Sequence, residues 1–427
     1  MTINVTDAVG ANNTIVFDSN SKIPAIDGSQ VTALSGSAFT TGTLATARID
    51  VGTGANQILQ LDANAKLPAV SATNLTNIPG PTVSTSDPAI DTNSTLGKKW
   101  INKTSGEVYI CTDATTDENV WTNVGGGAGD IEPWVFQGTA FGYTCGGHTG
   151  SDSNVIDKFS FSSDGDASDV GNLTAVNWGP SGQSSSTHGY ASGGGLVAGS
   201  VSNVIDKFSF TSDGDASDVG NLTVARTEAA GQSSTTHGYS SGGNLGGPAW
   251  TKSNVIDKFS FSSDGDATDV GNITVVRNRL AGQSSSTHGY ASGGGGGGDI
   301  IDKFSFSSDE DASDVGNLTV SRGEVTGQSS STHGYASGGT SGGTSNVIDK
   351  FSFSSDGDAS DVGNLTLARY MPAGQSSTTH GYTSGGNVTG ANVYRNEIDK
   401  FSFSSDGDAS DVGDLTVSRS FTAGQQY

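Results

Sequence analysis

One phrase, SNVIDKFSFSSDGDASDVGNLT, begins at Ser153 and returns five more times with small changes. The isoleucine of its IDKF core marks the copies, at Ile156, Ile205, Ile256, Ile301, Ile348 and Ile398. A repeat of 45–51 residues is typical of propellers and solenoids, in which each unit packs on its neighbours. The repeat therefore restricts this part of the chain to an array of six similar units.

Each unit contains four short segments with strand character. They are AGQSS, HGYASGG, VIDKFSF and VGNLTVA, and polar or glycine-rich turns separate them. In VIDKFSF the alternation has period two, with Ile156 and Lys158 on one side and Asp157 and Phe159 on the other. Only 33% of residues are apolar and 63 are glycine, which favours short strands over a large helical core. The pattern predicts an all-β fold with four antiparallel strands per unit, the geometry of a propeller blade.

The units also resemble the kelch repeat. A Gly-Gly pair closes the second strand, as at Gly193-Gly194, Gly242-Gly243 and Gly385-Gly386, and an aromatic-rich third strand follows. An arginine follows the fourth strand in five units, at Arg226, Arg277, Arg322, Arg369 and Arg419. The tryptophan that kelch repeats usually carry before the fourth strand is missing, and Ala167 or Val170 stands near its place. The resemblance covers residues 133–427 and implies a six-bladed β-propeller of four-stranded kelch-like blades, with an open β-solenoid as the alternative.

The two ends of the repeat region complement each other. The last unit stops at RSFTAGQQY, a first strand without its second, whereas the first unit opens with FGYTCGG, a second strand without its first. We therefore predict that Ala423–Tyr427 pairs beside Phe141–Gly147, so that six complete blades close into a ring. An open solenoid more often has polar caps at its two ends.

The connections between strands differ sharply in how much they vary. The turns between strands one and two and between strands three and four are nearly constant, whereas the other two connections change in every unit. Up-and-down strand order places all variable connections on one face. That face is predicted to bind a ligand, because loops on rigid scaffolds and aromatic or arginine side chains are typical of recognition surfaces; the alternative is that these loops vary because nothing constrains them. The candidate residues are Trp178, Trp250, Lys252, Arg279, Tyr370, Tyr394 and Arg395, and the variable connections also carry Met371 and Phe421.

Two repeated features resemble metal sites. Asp164, Asp166 and Asp169 offer hard oxygen ligands for calcium. Their spacing differs from that of an EF-hand loop, and a hairpin turn that uses Asp and Gly for local bonds is the preferred interpretation. The second feature is a histidine that recurs at His188, His237, His288, His333 and His380. Equivalent residues of neighbouring units lie too far apart to share one ion, so we expect a structural role and no cofactor.

Composition and charge exclude several classes of function. The net charge of −24 leaves no basic surface for nucleic acid. Neither a signal peptide nor an apolar run of membrane-spanning length is visible, and two cysteines make no disulfide framework. Catalysis requires an asymmetric group of nucleophile, base and orienting residue, which the repeated residues do not supply. We therefore expect a protein that is not an enzyme and does not insert into membranes.

The N-terminal part differs from the repeats. KIPAIDGSQVTAL at Lys22 recurs as KLPAVSATNLTNI at Lys66, and both phrases resemble the shafts of bacteriophage tail fibres. This resemblance implies an attachment and stalk region at residues 1–96, a homotrimer, and contact with other virion tail proteins; a flexible polar linker is the alternative. Residues 97–124 predict a small β-hairpin module that also resembles phage structural proteins, and residues 125–132 predict a glycine-rich hinge.

Together these features predict a phage virion tail fibre or adhesin, made in the host cytoplasm. Its variable face would recognise a host surface glycan or an outer-membrane protein. Two alternatives remain at this point. The repeat region is a docking hub or spacer within the virion, or the chain is a bacterial surface adhesin.

Overall fold

The structure, a computed structural model, describes residues 80–124, 136–295, 298–388 and 393–427. These residues form two compact units: one holds residues 80–85 and 98–106, and the other holds the remaining described residues. The predictions for residues 1–79 and for the hinge at 125–132 lie outside the described ranges. Within those ranges the fold is all-β, as the sequence predicts, with one 3-10 turn at Val197–Gly199.

The first unit contains two short parallel strands. β1 (Thr82–Ser84) pairs with β2 (Lys99–Asn102), so that Val83 lies opposite Ile101. The side-chain oxygen of Asn102 accepts the N–H of Thr104 at 2.9 Å, which fixes the turn that follows β2. One strand of this pair precedes residue 97, the predicted start of the hairpin module.

A hairpin follows in the second unit. It consists of β3 (Val108–Asp113) and β4 (Val120–Asn123), with Cys111 opposite Trp121. Tyr109, Cys111 and Trp121 are buried, because side chains that alternate along both strands meet on one side. Residues 97–124 thus contain a hairpin, with its turn between Asp113 and Val120.

The rest of the second unit consists of six four-stranded antiparallel sheets, which we number sheet 1 to sheet 6. Sheet 1 holds β5 (Phe141–Cys145), β6 (Val155–Ser160), β7 (Ser168–Asn172) and β30 (Ala423–Gln426); sheet 2 holds β8 (Ser181–Ser184), β9 (His188–Ser192), β10 (Val204–Ser209) and β11 (Ser217–Asn221); sheet 3 holds β12 (Ala230–Ser233), β13 (His237–Ser241), β14 (Val255–Ser260) and β15 (Thr268–Asn272). Sheet 4 holds β16 (Ala281–Ser284), β17 (His288–Ser292), β18 (Ile300–Ser305) and β19 (Ser313–Asn317); sheet 5 holds β20 (Thr326–Ser329), β21 (His333–Ser337), β22 (Val347–Ser352) and β23 (Ser360–Asn364); sheet 6 holds β24 (Ala373–Ser376), β25 (His380–Ser384), β28 (Glu397–Ser402) and β29 (Ser410–Asp414). A two-stranded ribbon, β26 (Asn387–Val388) with β27 (Val393–Tyr394), lies between the second and third strands of sheet 6.

The C-terminal segment supplies the first strand of sheet 1. β30 pairs antiparallel with β5, with Ala423 opposite Cys145 and Gln426 opposite Gly142. The N–H of Tyr427 then donates to the carbonyl of Phe141 at 2.8 Å. The pairing that the sequence predicts between Ala423–Tyr427 and the FGYTCGG segment is therefore confirmed.

The first strands of the six sheets lie beside one another in a cycle, from sheet 1 through sheet 6 and back to sheet 1. A glycine occupies the same place in each, at Gly424, Gly182, Gly231, Gly282, Gly327 and Gly374. A Cβ atom on Gly231 would lie 2.1 Å from the carbonyl oxygen of Gly182, which is closer than real Cβ contacts allow. Close backbone approach explains why this position is glycine in every unit, although the residue before it is alanine, serine or threonine.

Aromatic side chains pack each sheet on the next. Tyr190 of sheet 2 stacks on Phe261 of sheet 3 at 4.9 Å between ring centroids and lies 5.4 Å from Phe259. Each third strand has buried side chains on both of its sides. Ile256 joins the apolar cluster toward sheet 4, whereas Asp257 faces sheet 2. The period-two alternation thus distinguishes two buried faces rather than a buried and an exposed one.

Buried ion pairs also join the sheets. Each arginine that follows a fourth strand reaches a third-strand aspartate of the next sheet, and both side chains are 0–1% exposed. The pairs are Arg226–Asp257 (3.1 Å), Arg277–Asp302 (2.8 Å), Arg322–Asp349 (3.0 Å), Arg369–Asp399 (2.9 Å) and Arg419–Asp157 (2.9 Å). The last pair connects sheet 6 to sheet 1. Removing one member would leave an uncompensated buried charge, at a cost of about 3–5 kcal/mol.

The junction between sheets 1 and 2 lacks this pair. Asn177 stands where the other units carry arginine, and its Nδ2 donates to the carbonyl of Gly193 at 2.6 Å. Asp206, the expected partner, is 4% exposed and has no cationic partner among the described residues. Burial raises the pKa of Asp206, while hydrogen bonds from Thr174 oppose the shift.

The fourth strands differ from the sequence prediction. The predicted fourth strand is VGNLTVA. In sheet 1, however, the fourth strand β7 spans Ser168–Asn172 and ends before Leu173. The reason lies in the neighbouring sheet. The carboxylate of Asp206 accepts both the N–H and the hydroxyl of Thr174, so Thr174 bonds across the junction rather than along its own sheet.

Candidate functional site

The two kinds of connection lie at opposite ends of the sheets. Antiparallel strand order places the turns between strands one and two and between strands three and four at one end, which we call the constant end. The other connections lie at the variable end, where the segment that leads into each first strand bonds to the segment that follows the second strand of the same sheet. Isolated bridges join Trp178 to Gly195, Asn278 to Gly295 and Tyr370 to Asn387 in this way.

At the constant end the carboxylates of the Asp-rich turn bond to the neighbouring sheet or to the turn itself. Asp164 pairs with Lys400, Asp166 accepts the N–H of Asp414 at 3.1 Å, and Asp169 accepts the N–H of Gly171 at 3.2 Å. These contacts agree with the hairpin-turn interpretation of the three residues. In the described ranges, no group of three or more acidic, histidine or cysteine side chains has a geometry that could hold a metal ion.

The repeated histidines also lie at the constant end. The Nδ1 atom of His188 is 2.8 Å from the hydroxyl of Thr187, and the backbone N–H of His188 donates to the hydroxyl of Ser185. Partial burial lowers the pKa of each of these histidines, and a neighbouring lysine adds to the shift. The imidazoles are therefore held one per turn.

At the variable end, three aromatic side chains form one cluster. Trp178 lies edge-on to Phe421, with 5.3 Å between ring centroids, and 6.1 Å from Trp250. Trp250 is 38% exposed, and Trp178 and Phe421 are half-buried. We call Trp178, Trp250 and Phe421 the aromatic cluster. Side chains of this size, held by their neighbours and still accessible, are typical of binding hot spots.

The other predicted residues are more dispersed. The ring of Tyr394 lies 5.6 Å from that of His148, and Arg395 pairs with Glu397. Burial raises the pKa of Tyr370, with added effects from Glu324 and Tyr394. Lys252 is half-buried and has no carboxylate partner among the described residues. The predicted set therefore does not form one compact site.

A ring of six residues connects the first strands at the variable end. One residue from each unit has a positive φ, between 55° and 65°, and its N–H donates to the carbonyl of the preceding member. The hydrogen bonds run once around and close: Gly179, Glu228, Arg279, Glu324, Met371, Phe421 and back to Gly179. We call these residues the left-handed ring. Five of the six are not glycine, although this conformation disfavours other side chains.

Charged side chains of the left-handed ring form a cluster. The Nε of Arg279 donates to Glu228 at 3.0 Å, and its Nη1 donates to Glu324. Glu228 also accepts the amide of Asn278 at 2.7 Å, and Glu324 accepts the hydroxyl of Thr340 at 3.1 Å. Burial raises the pKa of Glu324, an effect that Arg279 opposes. The Arg279 side chain is 40% exposed, so the guanidinium is not enclosed by its two carboxylate partners.

The left-handed ring surrounds a pocket. Below the ring, the pocket is lined by Pro180, Ala229, Leu280, Val325, Pro372 and Thr422, one from each unit.

The sequence prediction included Arg279 but missed Glu228 and Glu324. The signal was present in the aligned connections TEA, NRL, GEV, YMP and SFT, whose central residue differs in nearly every unit.

No protein-family model matches this chain, and no curated protein matches it significantly. Among the described residues, no helix is long and apolar enough to cross a membrane.

Proposed function

We propose that the six sheets are the blades of a six-bladed β-propeller. Three separate contacts support the proposal. The first strands contact one another in a cycle, Arg419 of the last unit pairs with Asp157 of the first, and β30 completes sheet 1. The left-handed ring then encircles the propeller axis, and the variable end is one face of the disc.

We further propose that the protein is a phage tail fibre or adhesin whose variable face recognises the host cell surface. One observation carries this proposal. The residues that differ between units collect at one end of an otherwise repeated scaffold, and they include the accessible rings of the aromatic cluster. The scaffold fixes their positions, so little ordering cost remains when a ligand binds.

The remaining parts of the proposal follow from the resemblance of the N-terminal region to tail fibres. The protein is a virion component, it contacts other tail proteins through its N-terminal region, and it is a homotrimer. The partner is a host surface glycan or an outer-membrane protein. Three copies on one fibre raise avidity above the affinity of a single face. The function is binding rather than catalysis.

Competition for adsorption tests the proposal. Full-chain protein is incubated with host cells before phage is added, and free phage is counted. Wild-type protein is expected to block adsorption, and the combined variant Trp250→Gly, Tyr394→Ala, Arg395→Ala is expected to block it at least about tenfold less well. Trp250 has a positive φ of 46°, so glycine suits its backbone.

Glu310→Gly is the matched control, because it changes an exposed residue at the constant end to the glycine found in the other five units. Unchanged blocking by the combined variant, with an unchanged Tm, would reject Trp250, Tyr394 and Arg395 as binding residues. Wild-type protein that neither binds cells nor blocks adsorption would instead favour the docking hub or spacer.

A further inference from the structure

We propose that the left-handed ring binds one neutral sugar residue of the receptor, held between Arg279 and Phe421. The inference rests on the proposed recognition function and names its ligand class and its central subsite. It adds to the dispersed surface contacts one pocket that a single ring-shaped group enters.

The order of the ring places two different chemistries opposite each other. Arg279 and Phe421 are three positions apart in a closed cycle of six, and both line the same pocket. One side therefore offers N–H donors and the other an aromatic side chain. Five of the six residues below are apolar. A sugar ring has the same division, because its hydroxyl edge accepts hydrogen bonds while its C–H face packs on aromatic side chains.

Arg279 is fixed before any ligand arrives. Its Nε and Nη1 each donate to a carboxylate, on Glu228 and Glu324, and these carboxylates are themselves held by Asn278 and Thr340. Nη2 has no acceptor among the described residues. A planar guanidinium in a fixed orientation presents its free donors in one direction at little entropic cost.

Charge favours a neutral ligand. Arg279 lies between two carboxylates, so the cluster carries a net negative charge, and Arg395 is also paired with a carboxylate. Lys252 is the remaining accessible cation of the described variable end. The chain as a whole carries −24. An anionic sugar would meet repulsion at this pocket, whereas hydroxyl or amide oxygens can accept from Arg279 without that cost.

The backbone supports a functional rather than a structural origin for these side chains. Non-glycine residues at positive φ cost of order 1 kcal/mol or more and are concentrated at functional sites. Gly179 already occupies one of the six positions, with φ of 65°, and its hydrogen bonds in the ring are the same. The ring therefore does not need Phe421 or Arg279 in order to close.

Saturation-transfer NMR on the full-chain protein tests the proposal. The probes are methyl glycosides of neutral hexoses, a deoxyhexose and an N-acetylhexosamine, with methyl glucuronide as the anionic member. At least one neutral glycoside is expected to show transfer, insensitive to salt, and the glucuronide none. Phe421→Gly and Arg279→Lys are expected to weaken that binding about tenfold or more. Glu310→Gly is expected to leave it unchanged.

The two variants separate binding from folding. Phe421→Gly suits the backbone, and Arg279→Lys keeps a positive charge beside both carboxylates while losing the planar fork. Binding that survives both changes would overturn the proposed subsite. Protein that still blocks phage adsorption, yet binds only the glucuronide or no glycoside, would overturn the ligand class and leave the recognition function standing. Protein that fails to block adsorption would reject the recognition function itself.

Discussion

A single residue distinguishes one junction between sheets from the other five. Asn177 replaces arginine, which leaves the Asp206 carboxylate buried beside Thr174 without a cation among the described residues. Buried carboxylates without a cation are costly, and a raised pKa is the expected response. The five paired junctions show that the scaffold accommodates an arginine at this place.

Asn177→Arg is therefore expected to stabilise the protein by about 1–3 kcal/mol at neutral pH, through a charge-assisted bond to Asp206. Thermal unfolding followed by circular dichroism measures the change. Arg277→Asn is the reciprocal variant, because it removes an existing partner from Asp302, and is expected to cost about 3–5 kcal/mol. A lower Tm for Asn177→Arg would show that Asp206 is already compensated.

The same junction predicts a pH dependence. Because burial raises the folded-state pKa of Asp206 above its unfolded value, its contribution to stability is most favourable below the unfolded pKa and is lost as pH rises through the folded pKa. The gain from Asn177→Arg is therefore expected to grow from about pH 4 toward neutrality. Unfolding curves of both proteins across this range measure it, and an equal gain at every pH would contradict the assignment to Asp206.

At the scale of elements, the sequence predicted what local patterns determine. Alternation and glycine-rich turns located the first three strands of each unit, and the unmatched AGQQY and FGYTCGG segments predicted the pairing of β30 with β5. The side-chain contacts between neighbouring repeats could not be predicted from the sequence. The fourth strand ends early because Asp206 bonds to Thr174, and Asp157 is buried because Arg419, distant in sequence, reaches it. The left-handed ring was also missed, since backbone φ is not visible in a connection such as NRL.

Close packing of the first strands predicts a position-specific effect of alanine. A Cβ on Gly282 would lie 2.1 Å from the carbonyl oxygen of Gly231, whereas a Cβ on Gly343 meets nothing within 4 Å. Gly282→Ala is expected to lower stability by about 1–3 kcal/mol, and Gly343→Ala to change it by less than about 0.5 kcal/mol. Chemical denaturation of the two variants measures the difference. Equal stabilities would mean that neighbouring first strands are not in close contact.

At the scale of the whole molecule, the proposed propeller depends on the first and last units meeting. The ion pair of Arg419 with Asp157, the bond from Gln425 to the carbonyl of Tyr190 and the pairing of β30 with β5 all join residues more than 200 positions apart. Closure would protect both edges of the array and would bring the six residues of the left-handed ring around one axis. The proposed sugar subsite exists only under this condition.

Disulfide trapping tests closure most directly, because Cys145 lies opposite Ala423 in the register of β30 and β5. Opposed residues in antiparallel strands have Cα atoms about 4.5–5.5 Å apart, within the range of about 4.4–6.8 Å that a disulfide spans. In a Cys111→Ser background, Ala423→Cys is expected to form a disulfide with Cys145 within one chain, detected by peptide mass spectrometry. Ala281→Cys, at the equivalent place in sheet 4, is expected to form none. Absence of the Ala423→Cys cross-link, or its formation only between chains, would contradict the closed arrangement.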